Sequence, residues 1–237
     1  MNRYHFPVVV VLYLSLVGVA LAGNDEQRKT VIVTATRTAK TVDETLSSVT
    51  VISREDIERR QVRSVEDLLR GTQGISIANS GGAGKNTSVF IRGTNSDHVL
   101  VLIDGIRAGS ATSGGAAYEN IPIEQIERVE IVRGPRSSLY GSEAIGGVIQ
   151  IFTRKGGKEG VTPSFSYGGG SYGTFNGSAG LSGRSKRGWF NMSISGKKTK
   201  GFNACSGKSF PNGAGCYTNE PDRDGYRNIA GSFRAGY

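Results

Sequence analysis

Lys85–Gly105, K-N-T-S-V-F-I-R-G-T-N-S-D-H-V-L-V-L-I-D-G, decides how the rest of the chain reads. Two strand-like runs, Ser88–Arg92 and His98–Asp104, flank the polar turn Gly93–Asp97. Turn residues between β-branched runs predict a hairpin or a tight strand-to-strand connection. Val99–Ile103 is continuously apolar, so both faces of that strand should be covered. A doubly buried strand ending in Asp-Gly, beside a tip rich in Asn, Ser and Thr, describes a rigid core presenting hydrogen-bonding loops. That pattern points to ligand recognition more than to a catalytic cleft.

On the N-terminal side, Val49–Ile52 reads as a strand, and Ser53 as the N-cap of a short basic helix ending near Arg60–Gln61. Asp56 stands at the capping-box position. Ser64, with Asp67 three residues on, caps a second helix whose apolar face is Val65, Leu68 and Leu69 and which Gly71 or Gly74 stops. Ile75–Ala78 is a strand. Asn79–Lys85 invites comparison with a phosphate loop, but Asn79 replaces the first Gly, Asn86 replaces the hydroxyl residue, and a strand follows where a helix is needed. A flexible apical loop is the better reading.

On the other side, Arg107–Ala117 is a loop of small residues that lets a ligand approach the backbone. Pro122 suits position N1 of a short helical turn, Ile123–Gln125. Val129–Arg133 and Gly147–Thr153 read as strands, and Gly134–Gly141 as a compact turn.

Arg3 followed by Phe6–Ala22, which is uncharged and ends Ala20-Leu21-Ala22, has the form of a secretory signal over residues 1–22. The run is shorter than the ~20 residues of a spanning helix. The net charge of +9 lies mostly in Val161–Tyr237, which holds ten basic and three acidic residues. Those basic residues sit at turns and strand ends with no nucleic-acid-binding motif, so nucleic acid is excluded as the partner. The 35 Gly and 2 Cys suit turn-rich β structure and argue against a zinc site.

From Val161 onward, Phe165–Tyr167, Tyr172–Leu181, Trp189–Lys198 and Tyr226–Tyr237 alternate apolar with small polar residues. Such period-2 patterning fits outer-membrane barrel strands, and also a soluble sandwich. About four strands cannot close where plugged transporters use about 22, so the expectation is a truncated barrel in a fragment or a truncated product.

Thr30–Arg37, T-V-I-V-T-A-T-R, is an isolated β-prone segment suited to pairing with another chain's sheet edge. Cys205 and Cys216 enclose ten residues; in an exported protein they can pair, with roughly 2–3 kcal/mol from closing such a loop, or remain free thiols. Asn203, Glu220, Asp222 and Asp224 lie in the same loop, and D-x-D-G offers calcium alternating carboxylates on a tight turn. His5 and His98 are the only histidines, and no catalytic set appears, so no enzyme is expected.

The I-R-G of Ile91–Gly93, the V-L-I-D-G of Val101–Gly105, and the block Ile126–Arg154 resemble the plug domain of TonB-dependent outer-membrane receptors. Within that family F-I-R-G-T-N-x-x-H-V-L-V-L-I-D-G is most similar to receptors for cobalamin (vitamin B12). The resemblance implies a periplasmic segment, 23–40, whose Thr30, Val31, Ile32, Val33, Thr34, Ala35 and Thr36 form a TonB box gripped by the energy-coupling protein TonB. It implies an α/β plug over 41–157, then the first antiparallel strands of an outer-membrane barrel in 161–237, in a monomer. It carries cobalamin contacts over to Asn86, Ser88, Asn95, Thr112 and Ser113, although Asn86 stands where the family has Leu. It places calcium on Asn203, Glu220, Asp222 and Asp224, with Asn203 replacing a family Asp. The alternatives are a ferric-siderophore or haem receptor of the same family, or a plug-only binding or signalling module.

Overall fold

The computed structural model describes residues 31–32, 40–41, 47–110, 114–157, 159–205 and 222–237. In chain order they form β1 (Val31–Ile32), β2 (Lys40–Thr41), β3 (Ser48–Ile52), α1 (Arg54–Arg60), α2 (Val65–Leu69), β4 (Ile75–Asn79), β5 (Thr87–Ile91), β6 (Val99–Ile103) and β7 (Ile106–Arg107). There follow β8 (Ile126–Arg133), α3 (Ser137–Tyr140), β9 (Gly147–Thr153), and the long strands β10 (Gly160–Gly170), β11 (Thr174–Arg184), β12 (Trp189–Thr199) and β13 (Tyr226–Gly236). The expected signal, 1–22, lies outside the described residues.

Capping starts the two helices as the sequence predicts. The Ser53 hydroxyl accepts from Asp56 N–H while the Asp56 carboxylate accepts from Ser53 N–H, a reciprocal capping box. The Ser64 hydroxyl accepts from Asp67 N–H. Ile57, Val65, Leu68 and Leu69 thereby face a mixed sheet of order β3-β8-β9-β6-β7, in which only β6 and β9 run parallel. β6 is buried along Val99–Leu102, as its unbroken apolar run requires. It ends in Asp104-Gly105, both at positive φ (50° and 87°), the Asp-Gly signature of a two-residue hairpin into β7.

Three expectations are corrected, and of the two readings of Gly93–Asp97 the tight strand-to-strand connection holds. β5 and β6 do not form a hairpin: β5 pairs with β4, and β6 with β9 and β7. Arg92 and Gly93 turn the chain at positive φ, and a 3-10 turn at Ser96–His98 carries it to the other sheet. Pro122 is the N-cap of the 3-10 turn Ile123–Gln125 instead of its first residue. Gly134–Gly141 is more than a turn, because Ser137–Tyr140 winds into α3 and buries Tyr140 against Leu100 and Leu102. Val31–Ile32 does have a local partner, since it pairs antiparallel with Lys40–Thr41.

β10 to β13 form one antiparallel wall, each strand eleven residues long. That length matches the roughly 9–11 residues of a membrane-crossing β-strand. Its register sorts side chains cleanly. One row across the four strands is Phe165, Ala179, Ile194 and Gly231, and another is Pro163, Leu181, Met192 and Phe233. Phe165, Ile194 and Phe233 on this face are 83%, 57% and 71% exposed. The opposite face carries Ser166, Ser178, Ser195 and Ala230 in one row, and Ser193 and Ser232 in the next. An apolar outer face backed by a polar inner one is the membrane-barrel arrangement. A soluble sandwich would have packed a second sheet onto the apolar face.

Candidate functional site

The plug lies against the polar face of the wall, and two junctions hold it there. The first is built from the apical loop between β4 and β5. Glu66, at the start of α2, fixes the base of that loop by accepting from Asn79 Nδ2 at 2.9 Å and from Thr87 Oγ1 at 2.7 Å. Asn79 Oδ1 also accepts from Gly81 N–H at 2.9 Å, which turns the chain into Gly81–Gly84. The glycines are needed because the loop lies directly on the wall. A Cβ on Gly84, where φ is +81°, would sit 1.9 Å from the Tyr226 ring. Gly82 faces Phe202 in the same way, and Phe202 packs on Tyr172 with ring centroids 5.2 Å apart.

Lys85 closes this junction, its ammonium 2.5 Å from Asp224 Oδ1. Asp224 Oδ2 accepts from Ala204 N–H at 2.7 Å. The Ala204 N–H first, and then Lys85, hold the Asp224 carboxyl below the usual carboxylate range. Asn203 Oδ1 accepts from Cys205 N–H at 2.8 Å, and Asp222 is exposed to solvent. Of the expected calcium ligands, Asn203 and Asp224 serve the chain's own N–H groups and Lys85, and Glu220 lies outside the described residues. Among the described residues no three His, Cys, Asp or Glu side chains converge on a metal position. The Lys85 ammonium stands where a cation on the Asp224 carboxylate would meet like charge. Cys205 is disulfide-bonded, and Cys216, the chain's other cysteine, lies outside the described residues.

The second junction is at the opposite end of β13. Asp104 accepts from Thr153 N–H at 3.0 Å, from Thr153 Oγ1 at 2.6 Å, and from Arg234 Nη1 at 3.1 Å. Arg184 Nη2 donates to Gly156 O at 2.9 Å nearby. The Tyr226 hydroxyl donates to Glu119 O at 3.0 Å, so β13 touches the plug from end to end. Inside the plug, Arg133 of the I-V-R-G block binds Gln73 O at 2.7 Å, Ser48 Oγ at 2.9 Å and Thr50 Oγ1. Burial, and then Arg92, lower its pKa.

Beside the apical loop runs a groove of about 280 Å³, lined among others by Asn86, Ser88, Ser96, Ser110, Tyr118 and Glu119. The structure thus brings Asn86 and Ser88 together on one surface. Asn95 is exposed and leads into the 3-10 turn whose Ser96 lines the groove. Thr112 and Ser113 lie outside the described residues, as do Thr30 and Val33–Thr36 of the coupling segment. Sequence reasoning missed Glu66, Lys85, Asp104, Tyr226 and Arg234. Their partners are 13 or more residues away, so no local pattern announces them; the glycines of Gly81–Gly84 were the one available hint of close approach.

Residues 41–148 match the family described as TonB-dependent Receptor Plug Domain. The chain is 36% identical over 96% of its length to the Vitamin B12 transporter BtuB of Vibrio cholerae serotype O1, and spans 36% of that protein. The chain thus covers only about a third of the length of that relative. Among solved structures, the siderophore receptor PirA of Acinetobacter baumannii is similar at a TM-score of 0.53 and 27% identity, over 65% of this chain and 25% of that one. The pyoverdine outer membrane receptor FpvA of Pseudomonas aeruginosa superposes with a TM-score of 0.64 over 76% of this chain and 26% of that one, at 22% identity, a likeness of fold alone. With a matching plug, a wall that is apolar outside and polar within, and relatives of this kind, the chain belongs to the TonB-dependent outer-membrane receptors.

Proposed function

We propose that this chain is the plug and first wall strands of a receptor that imports cobalamin across the outer membrane, driven by TonB. The observation that carries the substrate is the 36% identity to a vitamin B12 transporter, sustained over 96% of the chain. The groove is consistent with it. Asn86, Ser88, Ser96 and Ser110 are neutral donors and acceptors, suited to the amide side chains around a corrin ring. Asn95, Thr112 and Ser113 complete the proposed contact set. TonB takes hold of Thr30–Thr36 by strand addition, which first requires Val31–Ile32 to leave Lys40–Thr41, a pairing of only two residues each side. Force on that segment then draws on the plug, and the two β13 junctions are where it must part from the wall. Cys205–Cys216 is the proposed disulfide of the second long loop.

A ferric-siderophore receptor is the second reading, because the solved structures of similar fold are siderophore receptors. Uptake of radiolabelled cyanocobalamin by host cells, with and without the gene and with and without TonB, separates the two. Gene- and TonB-dependent cyanocobalamin uptake is expected, and Ile32→Pro should abolish it by preventing strand addition while leaving surface binding intact. TonB-dependent uptake of a ferric siderophore in place of cyanocobalamin would overturn the substrate.

A further inference from the structure

We propose that Lys85 is the built-in counter-ion of the loop base Phe202–Cys205 and Asp222–Gly225, tying that loop to the plug tip where a calcium ion would otherwise serve. Both Asp224 oxygens are committed, one to the Lys85 ammonium at 2.5 Å and the other to Ala204 N–H at 2.7 Å. Asp224 N–H also donates to Phe202 O at 3.1 Å, and Asn203 Oδ1 is turned onto Cys205 N–H, so the loop base is folded around the lysine end. A calcium ion needs roughly six to eight oxygens at about 2.3–2.6 Å. An ammonium on Asp224 occupies that radius and repels a second cation.

Packing makes this a fixed junction. Gly84 leaves no room for a Cβ against Tyr226, and Gly81 and Gly82 lie on Ala204 and Phe202. The side chains of Lys85 and Asp224 are only 38% and 21% exposed. Lys85 directly precedes Asn86 and lies three residues before Ser88. The loop base is therefore tied to the same plug segment that lines the groove, so that movement of the plug tip, and not withdrawal of calcium, frees it. The cobalamin reading is not required for this inference, and the test below uses no cobalamin.

The protein purified from its host's outer membrane is subjected to limited proteolysis in calcium or in chelator. Cleavage within 206–223 is followed by mass spectrometry, alongside a calorimetric titration with calcium alone. The wild type should be cleaved at one rate in both media and give no calcium binding heat. Lys85→Met should be cleaved several-fold faster, Lys85→Arg at close to the wild-type rate, and Asp224→Asn like Lys85→Met with no further gain in the double variant. A wild type that is cleaved faster in chelator and protected by calcium would overturn the proposal. So would a Lys85→Met protein cleaved at the wild-type rate, since Lys85→Arg shows whether the position tolerates substitution at all.

Discussion

Gly84 is a position where a single methyl group would disturb the junction of plug and wall. Its φ of +81° disfavours any side chain, and its missing Cβ leaves the space that the Tyr226 ring fills. Gly84→Ala should cost roughly 1–2 kcal/mol in backbone strain and lift the loop from β13. Amide hydrogen exchange over 80–86 should rise while that of β6 and β9 stays unchanged. Asp224 sets a pH limit on the same junction. Ala204 N–H and Lys85 favour its charged form in the folded protein, so the contribution is complete above the ordinary carboxyl value of 3.8 and is lost as pH falls through the lowered folded value. Protection of the loop amides, corrected for the pH dependence of intrinsic exchange, should therefore be flat from about pH 8 to about pH 5 and fall only below about pH 4.

At the scale of elements, α1 has seven residues and is too short to persist without its ends. Ser53 and Asp56 satisfy two of its orphan N–H groups, and the Ser53 N–H is the first cause of the lowered Asp56 pKa. Ser53→Ala should destabilise the fold by about 1 kcal/mol, read from chemical denaturation, and raise the Asp56 pKa only by the part the hydroxyl contributes, because the backbone N–H bond is kept. Such local chemistry was fully legible in the sequence: Ser, two residues, acid, and an apolar stripe of Val65, Leu68 and Leu69. The connection from β5 to β6 was not. The polar turn Gly93–Asp97 looks the same whether it closes a hairpin or carries the chain between sheets. Pairing of β5 with β4, and of β6 with β9 from more than forty residues on, decided it.

For the whole molecule, the wall makes sense only as a membrane surface. Ile194 lies near the middle of β12 in an exposed apolar row with Phe165 and Ala179. Ile194→Arg should cost about 2–4 kcal/mol of insertion energy, whereas Ser193→Arg on the plug-facing side is relieved by polar neighbours. The fraction of protein recovered in folded form from the outer membrane checks the contrast. Among the described residues β10 and β13 pair on one side only, and open strand edges in lipid leave backbone groups unsatisfied. Folding of this wall is thus tied to whatever strands complete it.

The sequence by itself determined what depends on near neighbours: the caps of α1 and α2, the buried run of β6, the Asp104-Gly105 turn, and the alternation that separates the two faces of β10–β13. Side-chain period and capping geometry are local, so one-dimensional order is enough to specify them. Only the tertiary structure decided which strands pair, and which residues seat the plug on the wall. Lys85 with Asp224, Arg234 with Asp104, and Tyr226 beneath Gly84 each join residues more than 100 positions apart. A charge or a glycine carries no mark in sequence of the distant group it will meet.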